Sequence, residues 1–167
     1  MILGFTGTQS GMSDFQKEEF RKLLFHYKVT ELLHGDCIGS DEEANNIGVQ
    51  EGIKVFTIHP PTNPSKRSFC FDYEGLTKFN HILTEFKDID GMHVRWQPVK
   101  PYLERNINIV EACEVLIATP KEYVHTLRSG TWQTIRHCWK IKKHVVIIPP
   151  VTRPTEEEEV TFQPKSE

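Results

Sequence analysis

Two spacings of apolar residues alternate along the chain. Five short segments, residues 2–6, 29–33, 53–58, 115–118 and 144–148, are rich in Ile, Leu, Val and Phe, with glycine, proline or polar residues at their ends. Segments of this kind suit strands buried in a sheet. Between them, apolar residues recur at helical spacing. Phe15, Phe20, Leu23, Leu24 and Tyr27 share one face of a helix that Ser13 caps. A second helix takes Ser40 or Asp41 as its cap and runs to Gln50, with Glu42 and Glu43 beside its positive end. Gly52 stops it. Pro101 suits the first turn of a third helix, whose apolar face is Ile107, Ile109, Val110 and Cys113. A fourth helix runs from Gly130 to Lys142.

The first five elements read β-α-β-α-β, and right-handed crossovers make such strands parallel. The predicted fold is a Rossmann-like α/β three-layer sandwich with a parallel central sheet. Counted along the chain, its five strands take the order 3-2-1-4-5. Residues 1–150 form one domain with an insertion at about residues 60–98, where periodicity weakens. Within it, Lys66-Arg67-Ser68-Phe69-Cys70-Phe71 reads as a loop with a basic, aromatic face, whose Lys66, Arg67 and Phe69 cap the site or solvate the loop. Residues 76–86 read as a short helix and residues 92–96 as an extended segment. Residues 151–167 form an acidic tail around Glu156 to Glu159, expected to be disordered.

Composition narrows the function classes. The net charge is −3 and no basic stripe stands out, so duplex nucleic acid is not the expected partner. The four cysteines form no CxxC pair, which points away from zinc and redox motifs and towards reduced thiols in the cytoplasm. The eight histidines are scattered, so no metal and no cofactor are expected. No apolar run reaches membrane-spanning length, and the first residues lack a signal-peptide pattern.

The chemistry concentrates in three polar loops. In an open parallel sheet, ligands bind beyond the carboxyl ends of the strands, where the strand order reverses. That crevice lies between the first and fourth strands. The loops 7–12 and 119–131 line it, and the loop 35–41 sits on the same edge. Arg128-Ser129-Gly130-Thr131 lies at a helix start, where backbone N–H groups and the helix dipole suit a phosphate. Gly130 lets the backbone approach a ligand closely. Ser129 and Thr131 also serve as plain helix caps. Thr6, Gly7, Thr8 and Gln9 offer further donors, with turn formation as the alternative. Gly35, Asp36, Ser40 and Asp41 follow the second strand, where the carboxylates suit a ribose and Asp41 equally suits a cap. Arg105 opens a helix, where a cation opposes the dipole, so it calls for an anionic partner: a ligand phosphate, Glu104 or Asp36. Arg128 reads as a ligand contact or a surface charge, and Trp132 as a base-stacking ring or a core residue.

These motifs occur in one order: Gly4-Phe5-Thr6-Gly7, His34-Gly35-Asp36-Cys37-Ile38-Gly39-Ser40-Asp41, Arg105-Asn106 and Arg128-Ser129-Gly130-Thr131-Trp132. Together they resemble the SLOG superfamily of Rossmann-like proteins. That group includes the LOG phosphoribohydrolases, the DNA-processing protein DprA and nucleotide-sensing domains of antiviral systems. The resemblance implies a nucleotide or nucleotide-derived ligand, such as a nucleoside phosphate, an ADP-ribose-like molecule or a cyclic nucleotide. It also implies a homodimer or larger assembly, with the third helix and the aromatics Phe69, Phe71, Tyr73, Phe79 and Phe86 as candidate surfaces. The LOG motif Pro-Gly-Gly-x-Gly-Thr-x-x-Glu matches Gly130-Thr131, but Leu127-Arg128 replace its double glycine and Thr134 replaces its glutamate. A hydroxyl does not replace a carboxylate at an oxocarbenium-like centre. The expected function is therefore a sensor or sequestering protein. The alternative is a LOG-like cleavage of the N-glycosidic bond of a nucleoside 5′-monophosphate, with Arg105 and Glu122 or Glu104 as catalytic candidates.

Overall fold

The computed structural model describes residues 1–71 and 85–151. The elements run β1 (Ile2–Gly7), α1 (Asp14–His26), β2 (Glu31–His34), α2 (Ser40–Gln50) and β3 (Val55–Ile58). A 3-10 turn at Pro64–Lys66 follows, then β4 (Lys87–Ile89), β5 (Met92–Trp96), α3 (Tyr102–Ala112), β6 (Val115–Thr119), α4 (Gly130–Ile141) and β7 (Val145–Ile147). The helix expected at 76–86, apart from its last two residues, and the tail beyond residue 151 lie outside the described residues.

One seven-stranded sheet has the order β4-β5-β3-β2-β1-β6-β7. Its β3-β2-β1-β6-β7 portion is the five-strand parallel order read from the sequence. The correction is at the β3 edge, where β5 pairs parallel with β3, and β4 pairs antiparallel with β5. Asp90 and Gly91 join β4 to β5 with positive φ at both residues (50° and 85°), the geometry of a two-residue type I′ hairpin turn. Met92, Val94 and Trp96 are buried while His93 faces solvent, so β5 follows the two-residue period of a strand. This is the extended segment expected at residues 92–96, placed in the sheet beside β3.

Helices cover both faces. Phe20 and Leu24 of α1 and Ala44 and Ile47 of α2 pack with Leu3, Phe5, Leu32 and Phe56. On the other face, Ile109 and Val110 of α3 and Cys138 of α4 pack with Leu33 and Leu116, while Trp132 and Ile135 meet Ala118. Each fully buried Leu, Ile or Phe contributes about 1.5–3 kcal/mol from apolar burial. Gly4 sets the approach of α3, because a β-carbon there would lie 2.8 Å from Cys113 Sγ. At the carboxyl edge, Gln16 closes the capping box of Ser13 and donates to the carbonyls of Pro120 (2.8 Å) and Ile148 (2.9 Å). Helix α1 is thereby tied to the chain leaving β6 and β7, next to the candidate site.

Candidate functional site

A cleft of about 640 Å³ opens at the carboxyl ends of β1 and β6. Gly7, Thr8 and Gln9 form one side of its wall. Lys121, Glu122, Thr126 and Arg128, from the β6–α4 loop, form the other, with Ser129, Gly130 and Thr131 at the start of α4. Tyr102 of α3, together with Pro61, Thr62, Asn63 and Lys66 after β3, completes it.

The start of α4 carries the donors. Ser129 is the N-cap, and its hydroxyl accepts from Trp132 N–H at 3.3 Å. The amides of Gly130 and Thr131 make no hydrogen bond to any described residue. Thr131 is only 2% exposed yet lies on the cleft wall, and its hydroxyl has no described partner. Two free amides, a hydroxyl and the positive end of a 12-residue helix therefore meet at one point of the cleft. Gly130 also serves a packing role that the sequence does not suggest. A β-carbon there would lie 2.5 Å from Tyr102 Cε1, so the glycine lets α3 pack against α4.

The cleft wall thus includes Gly7, Thr8, Gln9, Glu122, Arg128, Ser129, Gly130 and Thr131 from the expected set. Thr6, Gly35, Asp36, Ser40, Asp41 and Arg105 lie behind it. Thr6 is buried within β1, in register with Ala118 of β6. Ser40 is buried against Gly7, where an added β-carbon would lie 2.5 Å from both Ser40 Cβ and Thr119 Oγ1. Asp41 accepts from Cys37 N–H at 3.1 Å, and burial pushes its carboxyl pKa up. It caps no free amide of α2, whose N-cap is Gly39 with φ of 87°. The loop 35–41 therefore supports the β1–α1 loop from beneath, and Ser40 N–H donates to the Thr8 carbonyl at 3.0 Å.

Asp36 and Arg105 are both built into the interior. Asp36 is fully buried; its Oδ2 accepts from Arg67 Nε at 2.9 Å, and its Oδ1 accepts from Cys70 N–H at 2.8 Å and the Ser68 hydroxyl at 3.3 Å. These partners saturate the carboxylate, leaving it none of the role a ribose contact would need. Arg67 is likewise buried, with its guanidinium 4.3 Å from the Phe69 ring, so the basic, aromatic loop folds onto itself. Arg105 donates to the carbonyls of Gly35 and His59 and to Asn106 Oδ1 (2.9 Å), and lies 4.8 Å from the Tyr102 ring centroid. Its partners are backbone carbonyls, a side-chain amide and the Cys37 sulfur (3.6 and 3.7 Å), and Glu104 instead meets Lys100 at 3.4 Å. Beside it, burial and then the Arg105 charge lower the His59 pKa to about 3, and burial raises the Cys37 pKa to about 11.

Thr134 is 4% exposed, and its hydroxyl donates to the Gly130 carbonyl at 2.9 Å, inside the helix. Glu122 is the carboxylate on the cleft wall, and its Oε2 is buried without a described partner. Trp132 is fully buried, 6.4 Å from the Trp139 ring centroid, so it packs in the core. Lys66, Tyr102 and Lys121 are wall residues absent from the expected ligand set. Lys66 had a signal in its basic loop. Tyr102 had one in the position of α3, whose N-terminus reaches the same sheet edge as that of α4. Among the described residues no group of three or more His, Cys, Asp and Glu could hold a metal, and no helix is long and apolar enough to cross a membrane.

Several solved structures have a similar fold. The Moco carrier protein from Chlamydomonas reinhardtii is 19% identical with a TM-score of 0.55, over 96% of this chain and 81% of that one. DNA processing protein A (DprA) from Streptococcus pneumoniae is 19% identical with a TM-score of 0.59, over 89% of this chain and 50% of that one. Both share the Rossmann-like α/β fold of this chain. No family model matches the sequence, and no curated protein matches it closely.

Proposed function

We propose that this protein binds a phosphorylated, nucleotide-derived ligand and holds it without turnover, as a sensor or sequestering protein. The observation that carries this reading is the start of α4. Free amides of Gly130 and Thr131 and the Thr131 hydroxyl border the cleft beside Arg128. Such a set matches the oxygens of a phosphate, each charge-assisted bond contributing about 1.5–3 kcal/mol. The argument against turnover is Thr134, whose hydroxyl is bound inside the helix at the position of the LOG glutamate. The similar fold of a protein named as a carrier fits a holding role.

Glu122 supports a second reading, N-glycosidic cleavage, because it brings a carboxylate with a free oxygen to the same cleft. Incubation with a nucleotide panel, followed by chromatography, separates the two. The binding reading expects unchanged nucleotide co-eluting with the protein. Free base and ribose phosphate, abolished by Glu122→Gln, would establish cleavage and overturn it.

A further inference from the structure

A second cleft, of about 530 Å³, opens on the face of the sheet that carries α3, over β2, β3 and β5. Two chain segments separate it from the first, and each gives one residue to each cleft. His59 and Lys100 line the second, Pro61 and Tyr102 the first. A bridge between Pro61 and Lys100 joins the two segments. Strands β2, β3 and β5 are mutually parallel. Parallel strands are ordinarily covered on both faces and apolar on both. Here Leu33 packs with α3, but Glu31, Thr57, His59, Arg95 and Gln97 bring polar groups to the cleft wall.

Those groups fall into two sets. One is satisfied internally. The Thr57 hydroxyl donates to Glu31 Oε1 at 2.6 Å and accepts from Arg95 Nε at 2.9 Å, and Arg95 Nη2 lies 3.6 Å from Glu31. The other set is unsatisfied. His59 is only 5% exposed, and its imidazole has no hydrogen-bond partner among the described residues. A buried polar group in that state calls for a partner from elsewhere. The side-chain amides of Gln97 and Asn108 and the Glu111 carboxylate also lack described partners.

The charges divide by end. At the carboxyl end of the strands stand His59 and Lys100. Behind them Arg105 donates to the His59 carbonyl at 3.2 Å, with no described carboxylate within ion-pair distance. Burial, and then a field of cations led by Arg105, keeps the His59 ring neutral. Lys100 is held only by its exposed, weak pair with Glu104. Glu104, Asn108 and Glu111 follow at i, i+4 and i+7 along one side of α3. Glu111 therefore lies about 10 Å along the helix from the level of Lys100 Nζ. It pairs with neither Lys100 nor Arg95. One end of the cleft suits an anion and the other a cation, with free amides between them.

We propose that this cleft binds a short zwitterionic peptide, its carboxylate towards Lys100 and His59, its ammonium towards Glu111 and its peptide bonds against the amides of Gln97 and Asn108. An extended residue spans about 3.3–3.6 Å, so two or three residues match the distance between the charged ends. A free amino acid is too short to reach both. The site is independent of the phosphate-binding reading above.

The test is calorimetric titration of the full chain with a panel of di- and tripeptides bearing apolar, polar, acidic and basic side chains. At least one should bind, and acetylating its amino end or amidating its carboxyl end should weaken it about tenfold, a charge-assisted contact's worth. Glu111→Gln should weaken the free peptide by a similar factor and leave the acetylated peptide unchanged. Lys100→Gln should do the same for the carboxyl end, sparing the amidated peptide. Unchanged melting temperatures of the two free variants show that the losses are ones of contact. ε-Aminocaproate, of similar length but without a peptide bond, should bind more weakly than the peptide. The proposal is overturned if no peptide in the panel binds, if capped and free peptides bind the wild type equally, or if ε-aminocaproate binds as tightly as the peptide.

Discussion

Arg67 and Asp36 meet at 2.9 Å with almost no exposed surface on either side chain. Breaking such a pair from one side leaves a buried charge without its counter-ion, at a cost of about 3–5 kcal/mol. Arg67→Ala should therefore lower the unfolding free energy by that amount, read in denaturant titrations, and loosen the turn that carries Lys66. His59 gives the residue scale its pH dependence. Its pKa falls from an ordinary 6.5 to about 3 in the folded protein, chiefly through burial. Between those values the unfolded chain binds the extra proton, so stability is fully present above pH 6.5 and declines as pH drops towards 3. Denaturant titrations from pH 7 to pH 4 should show this decline, and His59→Gln should flatten it. At the cleft, Thr131→Val keeps the shape and removes the free hydroxyl. Nucleotide affinity should fall by about 0.5–1.5 kcal/mol at an unchanged melting temperature. Equal affinity in titrations of the two proteins would remove this hydroxyl from the site.

The start of α4 shows what an element's sequence does and does not disclose. Its cap, glycine and preceding strand were legible, because Ser129-Gly130-Thr131 follows an apolar run and opens a helical period. The contact that demands the glycine was not. It comes from Tyr102, far away in sequence, and only the packing of α3 on α4 brings the two together. Gly130→Ala should push the Tyr102 ring aside and destabilise the protein by about 1–3 kcal/mol, read in thermal melts. The paired variant Gly130→Ala with Tyr102→Ala should recover part of the loss that Gly130→Ala adds, since the clashing ring is gone. The loop 35–41 was misread for the same kind of reason. Its glycines and carboxylates do lie at the sheet's carboxyl edge, as the strand order requires, but one layer further in. Arg105 looked like a ligand group because a cation opposes the dipole at a helix start; carbonyls of Gly35 and His59 supply the compensation instead. The extended segment 92–96 was legible and is β5, while its hairpin partner β4 (Lys87–Ile89), polar and mostly exposed, and its place in the sheet were not.

At the scale of the whole molecule, the β3-β2-β1-β6-β7 order was legible from alternating periods, right-handed crossovers and the Rossmann-like pattern, while β5 and β4 beyond β3 were not. Where a second subunit would sit depends on surfaces that packing leaves uncovered. Phe71 packs at 4.9 Å from the Phe56 ring centroid and so has cover within the chain, whereas Phe86, 4.6 Å from the Arg95 guanidinium, stays 43% exposed as a single side chain. Tyr73 and Phe79 lie outside the described residues. Helix α3 differs. Leu103 and Ile107 are four residues apart on one helical face, 49% and 37% exposed, and Leu127 at the rim of the cleft is 77% exposed. Isolated exposed apolar residues are ordinary, but an i, i+4 pair forms a stripe that a partner helix can cover. We therefore expect α3 to be the self-association face of a homodimer. Light scattering at micromolar concentration should give twice the 19.4 kDa chain mass. Leu103→Glu with Ile107→Glu should halve it, because two carboxylates cannot be buried there without partners. Both positions lie outside the core clusters, so the double variant should melt as a folded monomer. A wild-type monomer in that measurement would end the expectation. A dimer that survives both substitutions would move the interface off α3.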